Sequence, residues 1–385
     1  MAGPTVTLPL AGGGTEEFAV EAGPPPEPGG GWNRIAYAAA HVVVDSLADV
    51  SPTEEVALDW DRTIAFRRHL WALGFGVAEA MDTAQRGMGL DWPTSLELIR
   101  RSVDAAPDGA LIASGAGTDH IAPAPDLTMQ EIVAAYREQC EAVERAGSPV
   151  ILMASRALAA AAGSPDDYET VYAETLSNLD RPAILHWLGE MFDPALAGYW
   201  GDEDTDAAME TCLRVIEANA DKIDGIKISL LSAEKEIAMR RRLPAGVRMY
   251  TGDDFNYPDL IAGDGEGHSD ALLGIFDPIA GAAARALGAL GRGDTATYEA
   301  AFAPTLPLSR HVFRPPTRFY KTGVVFLAYL AGHQDHFTMV GGQESARSTL
   351  HLADVVRMAS AARLFVDPGR AARRAAHVMA ARGVA

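Results

Sequence analysis

"DKIDGIKISLL", residues 221–231, decides how the rest of the chain is read. Its centre is a short apolar run that reads as a strand, and side chains along a strand alternate between faces. Gly225, Lys227 and Ser229 therefore share one face, and Ile226 and Ile228 the other. The chain carries four lysines (Lys222, Lys227, Lys235 and Lys321) against twenty-eight arginines, so arginine is its ordinary surface cation. A lysine between two isoleucines is out of place as surface charge. In a sheet wrapped by helices the isoleucines would pack outward and Lys227 would point inward between two small residues. Burial disfavours the ammonium form and lowers the pKa of a lysine. A neutral amine can attack a carbonyl and form a Schiff base, whereas an arginine stays protonated. Two other readings stand beside this one: an ion pair with Asp253, Asp254 or Glu79, and a point charge for an anionic substrate.

Outward from this strand the chain has a regular rhythm. Eight β-prone runs fall at 34–44, 76–81, 109–115, 149–155, 181–187, 224–229, 247–253 and 270–276. Between them lie amphipathic helical patterns such as 59–74, 92–106, 128–147, 166–179 and 204–220, with Gly74 placed as a C-cap. Eight strand–helix units with nearly continuously apolar strands predict an α/β protein with a (β/α)8 TIM barrel. An open doubly wound sheet is the rival, but it usually carries a Gly-rich phosphate turn after its first strand, and here "HVVVDSLADV" follows instead. The expected organisation is a flexible, Gly- and Pro-rich arm over 1–31, the barrel over 32–292, and a C-terminal helical extension over 293–385.

Composition bounds the function. A formal net charge of −20 argues against a nucleic-acid partner, which needs a basic face, and against an anionic membrane surface. No apolar run is long enough to span a bilayer, and the N-terminus lacks the pattern of a signal peptide. The two cysteines, Cys140 and Cys212, form neither a disulfide framework nor a metal-ligand spacing. A cytoplasmic protein is the expectation.

Barrel enzymes place their chemistry at the C-terminal ends of the strands. Those ends carry Glu79 and Asp82 on the second strand, His120 after the third, Ser155 and Arg156 on the fourth, and His186 on the fifth. Gly252, Asp253 and Asp254 follow on the seventh. With Lys227 as nucleophile, His186 would move protons near neutral pH. Asp254 or Asp253 would orient hydroxyls, and Arg156 could hold a carboxylate bidentately. A second arrangement uses Glu79, Asp82, His120, His186 and Asp253 as ligands of a divalent metal ion, carboxylate and imidazole suiting Mg²⁺, Mn²⁺ or Zn²⁺. Lys227 would then stabilise an oxyanion. A third reading is a sugar-binding or regulatory barrel without catalysis.

The lysine strand "IDGIKIS" (223–229) and "MYTGDDFNYPDLIAGDGEGHSDALLG" (249–274) resemble the dihydrodipicolinate synthase / N-acetylneuraminate lyase superfamily of class I aldolases. So do "DWDRTIAFRRHLWALGFGVAEAM" (59–81) and "LDRPAILHW" (179–187). The resemblance covers roughly residues 34–290 and is that of a distant branch. It implies a barrel enzyme with Lys227 as Schiff-base lysine, no cofactor, a small keto or sugar substrate, and a homodimer or homotetramer. Three departures count against dihydrodipicolinate synthesis itself, one being that the family's tyrosine from after strand four is absent, with Ser155 and Arg156 in that region. The family's turn after strand two, with a threonine pair that grips the carboxylate of pyruvate, is replaced by "AEAMDTAQRG" (78–87). The tyrosine at the end of strand five is replaced by His186. The substrate binders expected are Glu79, Asp82, Ser155, Arg156, Gly252 and Asp253. The favoured reaction is a lyase, aldolase or dehydratase acting on a keto compound such as a 2-keto-3-deoxy sugar acid.

Overall fold

The computed structural model describes residues 3–384. Two strands, β1 (Thr5–Pro9) and β2 (Thr15–Ala19), precede eight that close into a parallel barrel. The barrel strands are β3 (Ala36–Ala39), β4 (Gly76–Glu79), β5 (Ile112–Ala116), β6 (Val150–Met153), β7 (Ala183–Leu188), β8 (Ile223–Ser229), β9 (Arg248–Thr251) and β10 (Asp270–Leu273). They pair in chain order, and β10 returns to β3 through Ala271↔Ala36 and Leu272↔Tyr37. Helices separate consecutive strands, so the architecture is the (β/α)8 barrel expected from the rhythm of the sequence. Among the described residues no helix is long and apolar enough to cross a membrane.

The alternation read from "DGIKIS" is realised. Ile226 and Ile228 belong to the layer between strands and helices, with Val77, Leu185 and Leu152. A separate inner cluster comprises Tyr37, Ala78, Ile151, Ile184, Tyr250 and Leu272. The rings of Tyr37 and Tyr250 meet edge to face at 6.1 Å. They occupy space opened by two glycines: a Cβ on Gly76 would lie 2.5 Å from the Tyr37 ring, and one on Gly225 2.7 Å from the Tyr250 ring. Gly225 thus makes room for a tyrosine, not for Lys227 as its place on the inner face suggested.

Helix starts carry the expected signals. Asp59 accepts the Arg62 N–H at 2.9 Å ahead of helix Trp60–Ala72, and Asp91 accepts the Thr94 N–H at 2.9 Å ahead of Trp92–Ala105. Thr128 and Glu131 form a reciprocal capping box before Met129–Arg145. The extension consists of Thr295–Phe302, Thr305–Val312, Tyr320–Ala331, Thr349–Ala361 and Pro368–Ala381. The first two divide around Pro304.

The arm expected to be flexible over 1–31 is corrected. β1 and β2 form an antiparallel hairpin from Thr5↔Ala19 to Pro9↔Thr15, with Val6, Leu8 and Val20 buried. Arg357 ties it to the extension, donating to Glu16 at 2.8 Å and to the Pro9 carbonyl at 2.8 Å. Downstream, the Gly23 N–H donates to the Phe365 carbonyl at 2.8 Å, so the Pro-rich strap is docked as well.

Candidate active site

Lys227 follows Gly225 on the inner face of β8 and is 7 % exposed. Its register partners are His186 on β7 and Tyr250 on β9. The space for its chain is left by Gly252, since a Cβ there would stand 2.8 Å from the lysine Cε and 2.5 Å from the Ile228 carbonyl oxygen. Gly252 therefore shapes the site by being absent from it. Among the described residues no carboxylate comes within 4 Å of the Lys227 Nζ, so the direct ion pair offered as one reading is not formed. Burial pushes the lysine below its ordinary pKa, and the charges of Asp82 and Asp254 hold it back only in part.

Asp254 is the neighbouring acid. Burial raises its carboxyl to about 7, against the opposing pull of the Ile275 N–H, which donates at 2.9 Å, and of Lys227. Its backbone carbonyl accepts the Ser309 hydroxyl at 2.5 Å, which pins the turn to the extension. His186 is 1 % exposed. Burial and then the Lys227 charge push its imidazole well below the ordinary value, so the ring is neutral. Its Nε2 lies 3.5 Å from the Ser229 hydroxyl, and Nδ1 has no partner.

A cleft lined in part by His186 opens at this end of the barrel. Asp82, Arg86, Thr118, Arg156 and Asp193 are on its walls. Arg86 is bidentate to Asp119 at 3.0 and 2.7 Å. Arg156 is paired with Asp193 at 2.5 Å and also donates to the Gly87 carbonyl at 3.2 Å, so its free bidentate grip is not preformed. Ser155, expected as a substrate binder, is the N-cap of helix Arg156–Ala161. Its hydroxyl accepts the Leu158 N–H at 2.9 Å and meets the Thr118 hydroxyl at 2.6 Å.

Three further candidates are turned to other work. Glu79 lies on the outer face of β4, where Arg67 holds both carboxylate oxygens at 2.8 Å and the Ser102 hydroxyl donates at 2.5 Å. It binds strand to helices and is no substrate ligand. The carboxylate of Asp253 is taken by the Phe255 N–H at 2.8 Å, the Asn256 N–H at 3.1 Å and the Asn256 side-chain amide at 2.8 Å. His120 turns toward helix Met129–Arg145, with Nδ1 2.7 Å from the Gln139 amide and Nε2 3.4 Å from Glu138. The five residues of the metal reading thus do not converge, and among the described residues no three His, Cys, Asp or Glu side chains are grouped to hold a metal ion.

The extension contributes residues that the reading of the barrel left out. Helix Tyr320–Ala331 brings Tyr320 over the mouth, its hydroxyl 2.8 Å from that of Thr83, while a Cβ on Gly274 would lie 3.2 Å from its ring. Lys321 follows and is 3 % exposed. The signal was available: Lys321 is another of the four lysines and stands before a run of eleven residues, 322–332, without a charge.

The fold and site define a (β/α)8 barrel with a buried lysine in its sixth strand and a helical extension closing on the strand ends. The chain belongs to the family described as "Protein of unknown function (DUF993)", whose family model matches residues 6–384. No curated protein matches the sequence. Among solved structures it is similar to YagE from E. coli K12, a prophage protein of the dihydrodipicolinic acid synthase family in complex with pyruvate. The TM-score is 0.67 and identity 14%, over 86% of this chain and 99% of that one. Dihydrodipicolinate synthase from Oceanobacillus iheyensis matches with TM-score 0.63 and 13% identity, over 85% and 96%. The chloride-inhibited enzyme from Acinetobacter baumannii, complexed with pyruvate, matches with TM-score 0.63 and 14% identity, over 86% and 99%. The resemblance drawn from the lysine strand holds at the level of the fold.

Proposed function

We propose that this chain is a Schiff-base-forming lyase of the aldolase or dehydratase type, acting on a keto compound such as a 2-keto-3-deoxy sugar acid. The observation that carries this reading is the Lys227 amine. It is buried inside the barrel without an ion-pair partner and lies in the charge field of a carboxyl poised near neutrality. The likeness of the fold to pyruvate-complexed barrels adds support.

In this scheme the lone pair of the neutral Lys227 amine attacks the substrate carbonyl, and a proton passes from the nitrogen to the carbonyl oxygen to give a neutral carbinolamine. Protonated Asp254 gives its proton to the departing hydroxyl, water leaves, and a cationic iminium remains. That cation accepts the electron pair of the bond broken at the next carbon, giving an enamine. Asp254 moves the protons, because a carboxyl near 7 can both give and take one at neutral pH. His186 serves as a neutral hydrogen-bonding group. Asp82 receives substrate hydroxyls. The scheme uses the protein's own groups and no cofactor. Dihydrodipicolinate synthesis is not the proposed reaction, since the loop after β4 presents Asp82 and a single threonine, Thr83.

The test is borohydride reduction in the presence of a panel of 2-keto acids and keto sugars, read by intact-protein and peptide mass spectrometry. A mass increase on Lys227, lost in Lys227→Arg, is expected. Absence of an adduct with every carbonyl tested would overturn the reading.

A further inference from the structure

The cleft that reaches His186, the sheet neighbour of Lys227, carries two arginines, and both are already committed. Besides its two bonds to Asp119, Arg86 donates to the Gly115 carbonyl at 2.5 Å and to the Gln139 side chain. Arg156 is held by Asp193. Lys321 differs from both. Its ammonium donates only to the Arg318 carbonyl at 3.2 Å and the Met88 sulfur at 3.3 Å, and it lies 4.7 Å from the Tyr320 ring centroid. A thioether is a weak acceptor and an ammonium has three N–H groups to satisfy. Among the described residues no carboxylate comes within 4 Å of it. A buried ammonium so poorly compensated is costly by itself, and such groups gather where a ligand completes them.

Its position is fixed at the loop after β4, by Met88 at 3.3 Å and by the neighbouring Tyr320 on Thr83 at 2.8 Å, next to Asp82 on the cleft wall. The charges it senses are those of Asp82, Asp193 and Arg156, all on the cleft wall, and of Lys227 beyond them. The loop between is braced by the extension on three sides: Thr83 on Tyr320, Met88 on Lys321, and Gln85 on Val340. The Gln85 amide donates to the Val340 carbonyl at 2.9 Å and its oxygen accepts the Val340 N–H at 3.2 Å. Asp82 acts on both lysines yet bonds to neither. Once Lys227 becomes an iminium it carries a fixed positive charge. Asp254 then answers the iminium, and Asp193 is already paired with Arg156, which leaves Lys321 to share Asp82 alone.

We propose that Lys321, supplied by the C-terminal extension, is a specificity-determining residue that takes the carboxylate of a keto acid bound at Lys227. This rests on the Schiff-base reading above. It selects 2-keto acids over uncharged ketones, a task for which the barrel's own arginines are no longer free.

The test is reductive trapping in the full chain with pyruvate, 2-keto-3-deoxygluconate and, as the uncharged control, dihydroxyacetone. Wild type is expected to trap the keto acids better than dihydroxyacetone. Lys321→Met is expected to lower keto-acid adducts about 10-fold, the size of one charge-assisted hydrogen bond, and to leave the dihydroxyacetone adduct unchanged. Lys321→Arg should restore most of the loss. Equal trapping of keto acids by wild type and Lys321→Met overturns the proposal. Should no carbonyl label Lys227 in any protein, the Schiff-base reading falls, and calorimetric titration with D-gluconate, a carboxylate without a carbonyl, decides Lys321. Binding to wild type and Lys227→Arg but not to Lys321→Met supports it. Equal binding to all three, or none to wild type, overturns it.

Discussion

At the scale of single residues, two acids of the same turn show how neighbours divide labour. Asp253 spends its oxygens on the backbone of Phe255 and on the backbone and side chain of Asn256, while Asp254 spends one on Ile275 and faces Lys227 with its charge. Burial has raised the Asp254 carboxyl to about 7. If it must be protonated to expel water, activity falls as pH rises through that value. Asp254→Asn is expected to abolish this alkaline limb and to lower the rate about 10²-fold at the pH optimum, as measured by initial rates across pH 5–9. The sequence singled out Lys227 because the chain uses lysine so rarely, but the same contrast pointed equally to Lys321. Glu79, read from the sequence as a substrate binder, was not legible: only the place of Ala78 in the inner cluster shows that its neighbour Glu79 faces outward.

At the scale of elements, the eight barrel strands were legible because strands covered on both faces are apolar throughout and bounded by glycine and proline. Their lengths were less so. Only Ala36–Ala39 of the 34–44 run is strand, because at His41 the backbone N–H and the imidazole both turn to Asp277, at 2.8 and 2.7 Å. The hairpin was hidden by composition, although "TVTLP" and "TEEFA" flank a glycine turn. Between helix Ala233–Arg240 and strands β9 and β10 lies Glu236. It accepts hydroxyls of Ser269 at 2.6 Å and Thr251 at 2.9 Å, and burial raises its carboxyl to about 8. Its folded pKa exceeds the unfolded value of 4.5. The stability it contributes is therefore complete below about pH 4.5 and lost as pH rises through about 8. Glu236→Gln is expected to flatten this loss, on the order of a few kcal/mol, in urea midpoints compared at pH 5 and pH 8.5.

At the scale of the whole molecule, barrel, hairpin and extension share one apolar core. Deleting residues 3–20 removes Val6, Leu8 and Val20 from it. Several kcal/mol of stability should be lost at about 1.5–3 kcal/mol per buried aliphatic side chain, read as a lower Tm. The sequence did not announce that the extension reaches the strand ends, because contacts such as Tyr320 with Thr83 join positions 237 residues apart and leave no local pattern. The paired tyrosines at the base of the barrel carry a last consequence. Tyr37 and Tyr250 are buried and fill that end, which leaves the strand-end side for access to Lys227. Under the proposed chemistry, the water that frees Lys227 enters by the path along which the cleaved fragment leaves. A fragment that lingers on that side delays the hydrolysis that would reset the enzyme.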